Sequence, residues 1–310
     1  MARPVTFRHV MEYAVFRVCL GVLRLLPERW ALTLGGALGW FAGAVVRVRR
    51  DVTDANIARS FPDRDQRWRD RIALASYRNL GREGVASFLF ASESPERVIQ
   101  RTPNPTGAEP LHEAVKNGLG AILLTGHLGN WELAGAAVAA RGVPLAAVAV
   151  RQANRLFDDD LMRNRARLGI SIIRRGDAPL DVIRTLRAGR VAGLVADQNA
   201  RRGGLFVDFL GTPASTARGP ALLALRANVP LFLGSCVALD GEPGRYRCEI
   251  EEITCERTGN LHEDVRRLTA AHVAALAERV RRDPGQYFWQ HRRWWTVSQE
   301  AAGESLRGEP

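Results

Sequence analysis

The sequence predicts an α/β fold, a single domain with a central mixed sheet flanked by helices, preceded by an all-helical part. Three observations predict it. From about Gly120 onward, short apolar runs alternate with helical patterns, the order that builds strand–helix–strand units. Before Gly120 the patterns are helical only. The 310 residues are 46% hydrophobic, enough for a substantial core and too apolar for a disordered chain.

At the start, Tyr13, Phe16, Leu20, Leu23 and Leu26 recur at helical spacing, so Val10–Leu26 reads as an amphipathic helix that Pro27 ends. Trp30–Val46 then runs 17 residues without a charge, flanked by Arg29 and by Arg47, Arg49 and Arg50. As a helix it spans about 26 Å, short of the roughly 30 Å hydrocarbon core of a bilayer, and its glycines weaken it further. Four roles fit: a thin membrane span, a hairpin partner for the first helix, an interfacial segment, or a Gly-rich buried helix of a soluble domain. The Arg cluster behind it points to the cytoplasmic side. Residues 1–50 together read as membrane-anchoring helices, with no cleavage site that marks a removable signal peptide.

A charged helix follows and stops before Pro62. Arg67–Ala91 is helical in pattern, with Ile72, Leu74, Tyr77, Leu80 and Val85 as core. Glu83 falls in its middle, as a polar face or a distant brace for a site. Ser92–Pro110, rich in Pro, Ser and Thr, reads as a loop, and Leu111–Asn117 as a short helix closed by Gly118.

The central stretch comes next. Ile122, Leu123 and Leu124 read as a buried strand that Thr125-Gly126 stops. Gly129 and Asn130 turn the chain, and Trp131–Ala140 has helix-forming composition. His127 thus sits at a strand's carboxyl end and Glu132 opens a helix, the place where open α/β sheets bind ligands. A histidine can take a proton from a hydroxyl, and a carboxylate can hold its tautomer. Across the turn His127 and Glu132 can converge; on one continuous helix they would not share a face. Amide N–H groups at the helix start suit a developing oxyanion or a phosphate.

Beyond it, Leu145–Val150, Ile170–Ile173, Val191–Ala196, Pro230–Val237 and Tyr246–Ile250 read as strands. Arg155–Leu168, Pro179–Leu186, Gly219–Arg226 and His262–Arg282 read as helices. Two strand ends carry polar groups, Arg151 with Asn154 and Asp197 with Gln198. An aromatic strand, Val207–Phe209, runs into a Gly211-Thr212-Pro213 turn. The aromatic, basic segment Gln286–Trp295 reads as rings packed on the core with some interfacial contact, and residues 299–310 as a frayed, flexible tail.

A net charge of +11 suits nucleic acid, an anionic membrane or acidic partners. With no nucleic-acid module and no zinc spacing, membrane and phosphate-bearing substrates fit better, and nucleic acid is not expected. Cys19, Cys236, Cys248 and Cys255 form no Cys-x-x-Cys pair; a chain this long needs no bridges, and a reducing compartment is expected. Neither a G-x-S-x-G elbow nor an H-E-x-x-H zinc motif occurs, which argues against hydrolases.

The wording Gly126-His127-Leu128-Gly129-Asn130-Trp131-Glu132 resembles the His-x4-Asp/Glu motif of the lysophospholipid acyltransferase superfamily, in the form of its lipid A biosynthesis branch, the lauroyl/myristoyl acyltransferases. Other segments agree in chain order over roughly Leu26 to Thr296. Asn56-Ile57 and Phe61-Pro62 are similar to its Arg…Asn-Leu…Phe-Pro signature, Arg151 and Asn154 to its Arg-x2-Asn, and Arg167-Leu168-Gly169 to a less specific position. Asp197-Gln198 resembles its Asp-Gln pair, and Phe209 to Thr216 its Phe-Phe-Gly…Ala-x-Thr segment, with Leu210 in place of the second Phe. The closing Trp289-Gln290-His291-Arg292-Arg293-Trp294 is similar to the family's ending.

The resemblance implies an acyltransferase domain over residues 51–298, working at the cytoplasmic face of a bacterial inner membrane. A fatty acyl chain would pass from a thioester of acyl carrier protein or CoA to a hydroxyl of a phosphorylated glycolipid, first a lipid A precursor. Phosphatidylinositol mannoside is the alternative acceptor, and a non-catalytic lipid-binding protein the alternative class. His127 would be the general base and Glu132 its orienting partner. Gly126, Asn130, Trp131, Arg151, Asn154, Arg167, Asp197, Gln198 and Thr216 would bind substrate or brace the site. No metal and no cofactor beyond the acyl thioester is implied.

Overall fold

The computed structural model describes residues 5–174 and 178–296. The tail over 299–310 lies outside them. Six helices come first: α1 (Phe7–Leu25), α2 (Glu28–Ala44), α3 (Arg50–Ser60), α4 (Gln66–Phe90), α5 (Pro95–Arg101) and α6 (Glu109–Lys116). Strands and helices then alternate: β1 (Ala121–Thr125), α7 (Trp131–Ala139), β2 (Leu145–Ala149), α8 (Arg155–Arg167), β3 (Ser171–Arg174), α9 (Ala178–Arg187) and β4 (Val191–Val195). A hairpin of β5 (Leu205–Phe209) and β6 (Thr212–Thr216) leads to α10 (Gly219–Ala227), β7 (Leu231–Ala238), β8 (Tyr246–Glu252) and α11 (Leu261–Arg282).

The main sheet has the order β3-β2-β4-β1-β7-β8. All its pairs are parallel except β7 with β8, so the sheet is mixed, as the sequence predicts. Successive residues of β1 serve opposite layers, as strand geometry requires. Ile122 and Leu124 pack into the core with Val182, Leu186, Ala221 and Leu276 of α9, α10 and α11. Ala121 and Leu123 pack on the other face with Val138 and Ala139 of α7.

Two elements differ from the expectation. The Pro- and Ser-rich stretch read as a loop contains α5, whose first position is Pro95, where a missing N–H costs nothing. The Gly-Thr-Pro turn is shorter than expected, because Thr212 and Pro213 already belong to β6. The cysteine reading is also corrected: Cys236 and Cys248 face each other across β7 and β8, their Cα atoms 4.2 Å apart, and are joined as a disulfide. Cys19 and Cys255 are free.

Among the described residues no helix is long and apolar enough to cross a membrane. Of the four roles that fit residues 30–46, the structure displays the Gly-rich buried helix: α2 packs on α4 and hardly touches α1, so it is not a hairpin partner for the first helix. Gly35, Gly39 and Gly43 lie buried one turn apart on α2. A Cβ on Gly39 would strike the Tyr77 carbonyl, and one on Gly81 the Gly35 carbonyl, so the glycines let two backbones touch. Gly39→Ala is therefore expected to cost about 1–3 kcal/mol, the range for overpacking, seen as a lower urea midpoint.

Helix α1 buries only Leu20. It is held by Tyr13 Oη donating to Asp160 at 2.7 Å and by Asn154 Nδ2 donating to the His9 carbonyl at 2.9 Å. Phe16 packs edge-on to Phe88 and tilted against Phe157 at centroid distances of 4.7 and 4.8 Å. Helices α1 and α2 expose the large apolar side chains of Phe7, Val18, Leu25, Trp30, Leu38 and Phe41.

Candidate active site

The site is set by the pairing of two parallel neighbours. In the β1–β4 register Thr125 lies opposite Val195, so His127 and Asp197, each two residues further on, emerge side by side at the sheet's carboxyl edge. The Asp197 carboxylate grips His127 twice. Its Oδ1 is 2.7 Å from Nδ1 of the ring, and its Oδ2 accepts the His127 backbone N–H at 2.8 Å. Gly126 makes room for this, since a Cβ there would crowd Leu276 and the Asp197 carboxylate.

The charges follow from the burial. Burial disfavours the imidazolium, but the charge and hydrogen bond of Asp197 outweigh it, and the His127 pKa is raised above its ordinary value. Burial likewise opposes ionisation of Asp197, yet His127, the backbone N–H and nearby Arg293 bring its pKa down to about 2. Asp197 is thus a fixed anion at neutral pH. It holds Nδ1 protonated and leaves Nε2 as the basic nitrogen. Gln198 Nε2 lies 3.4 Å from that nitrogen.

Glu132 takes a different partner from the one expected. It binds Arg165 of α8, Nη2 to Oε1 at 2.6 Å and Nε to Oε2 at 3.2 Å, a two-point ion pair. The position beside His127 Nδ1 belongs to Asp197. Trp131 stands edge-on to the His127 ring at 4.7 Å, and Phe288 lies tilted to it at 5.8 Å. Asn130 caps α7 by accepting the Leu133 N–H at 2.9 Å.

The C-terminal segment closes the site from behind. The Phe288 N–H donates to the His127 carbonyl at 2.9 Å, and the Gly129 N–H to the Gln286 carbonyl at 3.0 Å. Arg293, buried, donates to Thr216 Oγ1 at 2.6 Å and to the Ser215 carbonyl at 2.7 Å. Tyr287 and Trp289 are buried too, so most rings of this segment pack on the core as expected, while Trp295 is exposed.

In front of His127 lies a cavity of about 680 Å³ between α1, α4, α7 and α8. Its walls are largely apolar, with Phe16, Leu80, Phe88, Leu133, Phe157 and Leu161 among them. His127, Trp131, Glu132 and Phe288 are also in the lining. Arg17, Arg24, Arg165 and Arg167 add cations to the lining. This is a largely apolar cavity that His127 lines, of a volume that suits a small-molecule or lipid substrate.

Comparison with known proteins agrees with this geometry. The sequence pattern of the family described as bacterial lipid A biosynthesis acyltransferase matches residues 3–296. The chain belongs to this family. It is 28% identical over 172 residues to the phosphatidylinositol mannoside acyltransferase of Mycobacterium tuberculosis, covering 54% of each chain. The chain therefore spans about half the length of that relative. It is 27% identical over 236 residues to the lipid A biosynthesis myristoyltransferase of Escherichia coli, covering 73% of this chain and 72% of the other. The palmitoleoyltransferase of lipid A biosynthesis from the same organism is 25% identical over 287 residues, 89% and 90% of the two chains.

The structure gathers most of the expected residues of this lipid A acyltransferase family member around one cavity, but not all. His127, Asn130, Trp131, Glu132, Asn154 and Arg167 line it. Arg151 is exposed and does not line it. Asn154 does so as the cap of α8, accepting the Leu156 N–H at 3.1 Å while tying down α1. Thr216 is buried and accepts from Arg293, whose charge helps hold the Asp197 pKa down. Arg165, which the sequence alone did not single out, holds Glu132; its only signal was a place in the Arg-rich end of α8.

Proposed function

We propose that this protein is a membrane-associated O-acyltransferase that moves a fatty acyl chain from a thioester to a hydroxyl of a phosphorylated glycolipid. The observation that carries this reading is the His127–Asp197 pair opening onto the largely apolar cavity. The acyl chain of the donor lies in the cavity. His127 Nε2 takes the proton of the acceptor hydroxyl, the oxygen attacks the thioester carbonyl, and the carbon–sulfur bond breaks. The proton then passes from His127 to the leaving thiolate, so the step balances with donor, acceptor and His127 alone. Asp197 holds the imidazole and stabilises its charged form. Glu132, fixed by Arg165, orients the acceptor, and N–H groups at the start of α7 stabilise the oxyanion.

A lipid A precursor is the acceptor favoured by the family, and acyl carrier protein the donor favoured by the basic surface, whose field attracts acidic proteins and anionic headgroups alike. The exposed apolar faces of α1 and α2 rest on the cytoplasmic leaflet of the inner membrane. The mycobacterial match supports phosphatidylinositol mannoside as the second acceptor.

The test is a panel of acyl carrier protein and CoA thioesters against lipid A precursor, phosphatidylinositol mannoside and lysophospholipid, read by mass spectrometry. Acylation of the lipid A precursor is the expected result. Acylation of another acceptor alone keeps the chemistry and replaces the substrate. No acylation of any acceptor by folded protein would reject the enzymatic reading.

A further inference from the structure

We propose that Glu83 is a positioning residue for acyl transfer, acting on the catalytic turn through Asn130; this rests on the function proposed above. Glu83 is a carboxylate in the middle of α4, only 3% exposed, and it lies against the cavity. A buried charge persists only where several donors answer it. Here there are three. Oε2 accepts Asn130 Nδ2 at 3.0 Å and Tyr246 Oη at 2.7 Å, and Oε1 accepts Arg82 Nε at 2.9 Å. Burial and then the Glu83 charge raise the Tyr246 pKa, so the phenol stays a donor.

The Asn130 amide is thereby used at both ends. Its oxygen caps α7, and its nitrogen is claimed by Glu83. The Asn130 N–H is also fixed, donating to the Cys236 carbonyl at 2.8 Å. The same network reaches the other side of the turn. Arg82 Nη2 donates to Asn79 Oδ1 at 2.8 Å, and Asn79 Nδ2 to the Gln286 carbonyl at 3.2 Å, the carbonyl that receives the Gly129 N–H. Gly129 itself has φ +61°, and a Cβ there would collide with the Cys236 carbonyl. The turn after His127 is therefore pinned from α4 on one side and from β7 on the other. Glu83 is the anion on which the α4 side converges, and nothing in the proposed chemistry requires it to touch substrate.

Glu83 hydrogen-bonds to Arg82, Asn130 and Tyr246 and not to His127, so its effect on the base runs through the turn that Asn130 holds. That separates it from a catalytic residue and from a merely structural one. In the full chain, Glu83→Ala is expected to lower kcat about tenfold or more, with donor KM within about twofold and the pH profile unmoved. Glu83→Gln keeps an acceptor for Asn130 and is expected to recover most of the loss. The double variant with Asn130→Ala is expected to lose no more than the larger single loss, because both act through one contact. Additive losses, or a loss that only tracks the unfolded fraction in thermal melts, would overturn the proposal. A second readout needs no turnover: Glu83→Ala is expected to speed amide exchange over residues 127–134 relative to α11. Unchanged exchange there would refute the role, whereas a failure of the unsubstituted protein to acylate anything would count against the proposed function alone.

Discussion

Replacing His127 with Ala is expected to reduce kcat by roughly 10² to 10⁴-fold, the usual worth of a positioned general base. The substitution removes the basic nitrogen that faces the cavity, and Gln198, its neighbour there, has no proton affinity to replace it. The fold should survive. The backbone N–H of residue 127 still satisfies one oxygen of Asp197, and Arg293 still offsets its charge. Turnover by mass spectrometry beside a thermal melt checks both halves. Undiminished turnover would remove His127 from the mechanism.

Asp197→Asn is expected to cost a comparable factor, about 10² to 10⁴, because an amide no longer compels the tautomer with Nδ1–H. Its sharper signature is in pH. His127 must be neutral to act as a base, so activity falls as pH drops below its pKa. Asp197 raises that pKa. Removing the carboxylate's charge lowers it, and the acid limb of kcat/KM should move to lower pH even as the plateau falls. A limb that stays in place, or one that moves upward, would show that Asp197 is not the partner. Stability follows the same linkage with opposite signs for the two groups. The depressed Asp197 pKa contributes stability above the unfolded carboxylate range, lost as pH falls toward about 2. The raised His127 pKa contributes stability at pH below the unfolded imidazole value, lost as pH rises through the folded one.

The difference between Glu132 and Asp197 shows where the sequence stopped being legible. Local order was readable: a short apolar run, two glycines, a histidine and an Ala-rich helix give β1, the turn and α7, and the structure has them there. The resemblance then offered the nearest carboxylate, Glu132. The partner of His127 instead arrives from 70 residues away. It does so because β4 is the neighbour of β1, and adjacency between strands is a tertiary fact that periodicity does not carry. Asp197 was legible as a polar residue at a strand end, not as the residue level with His127. Glu83 was legible only as a polar face or a distant brace, because its three donors, Arg82 of α4, the α7 cap Asn130 and Tyr246 of β8, are brought together only by the fold. The helix α5 was hidden by its composition, since Ser and Pro mark loops and helix starts alike.

The glycine seam between α2 and α4 changes what the amino-terminal helices are. Because α2 lies backbone to backbone on Tyr77 and Gly81, it shares the helix that carries Glu83 and lines the cavity. Phe16, Arg17, Leu20 and Arg24 of α1 line that cavity directly, and α2 braces the helix behind it, so the amino-terminal helices are part of the chamber's wall. Cutting the chain after residue 50 to obtain a more tractable fragment would strip that wall and bare one side of α4, so the amino-terminal helices and the chamber have to be handled as one piece.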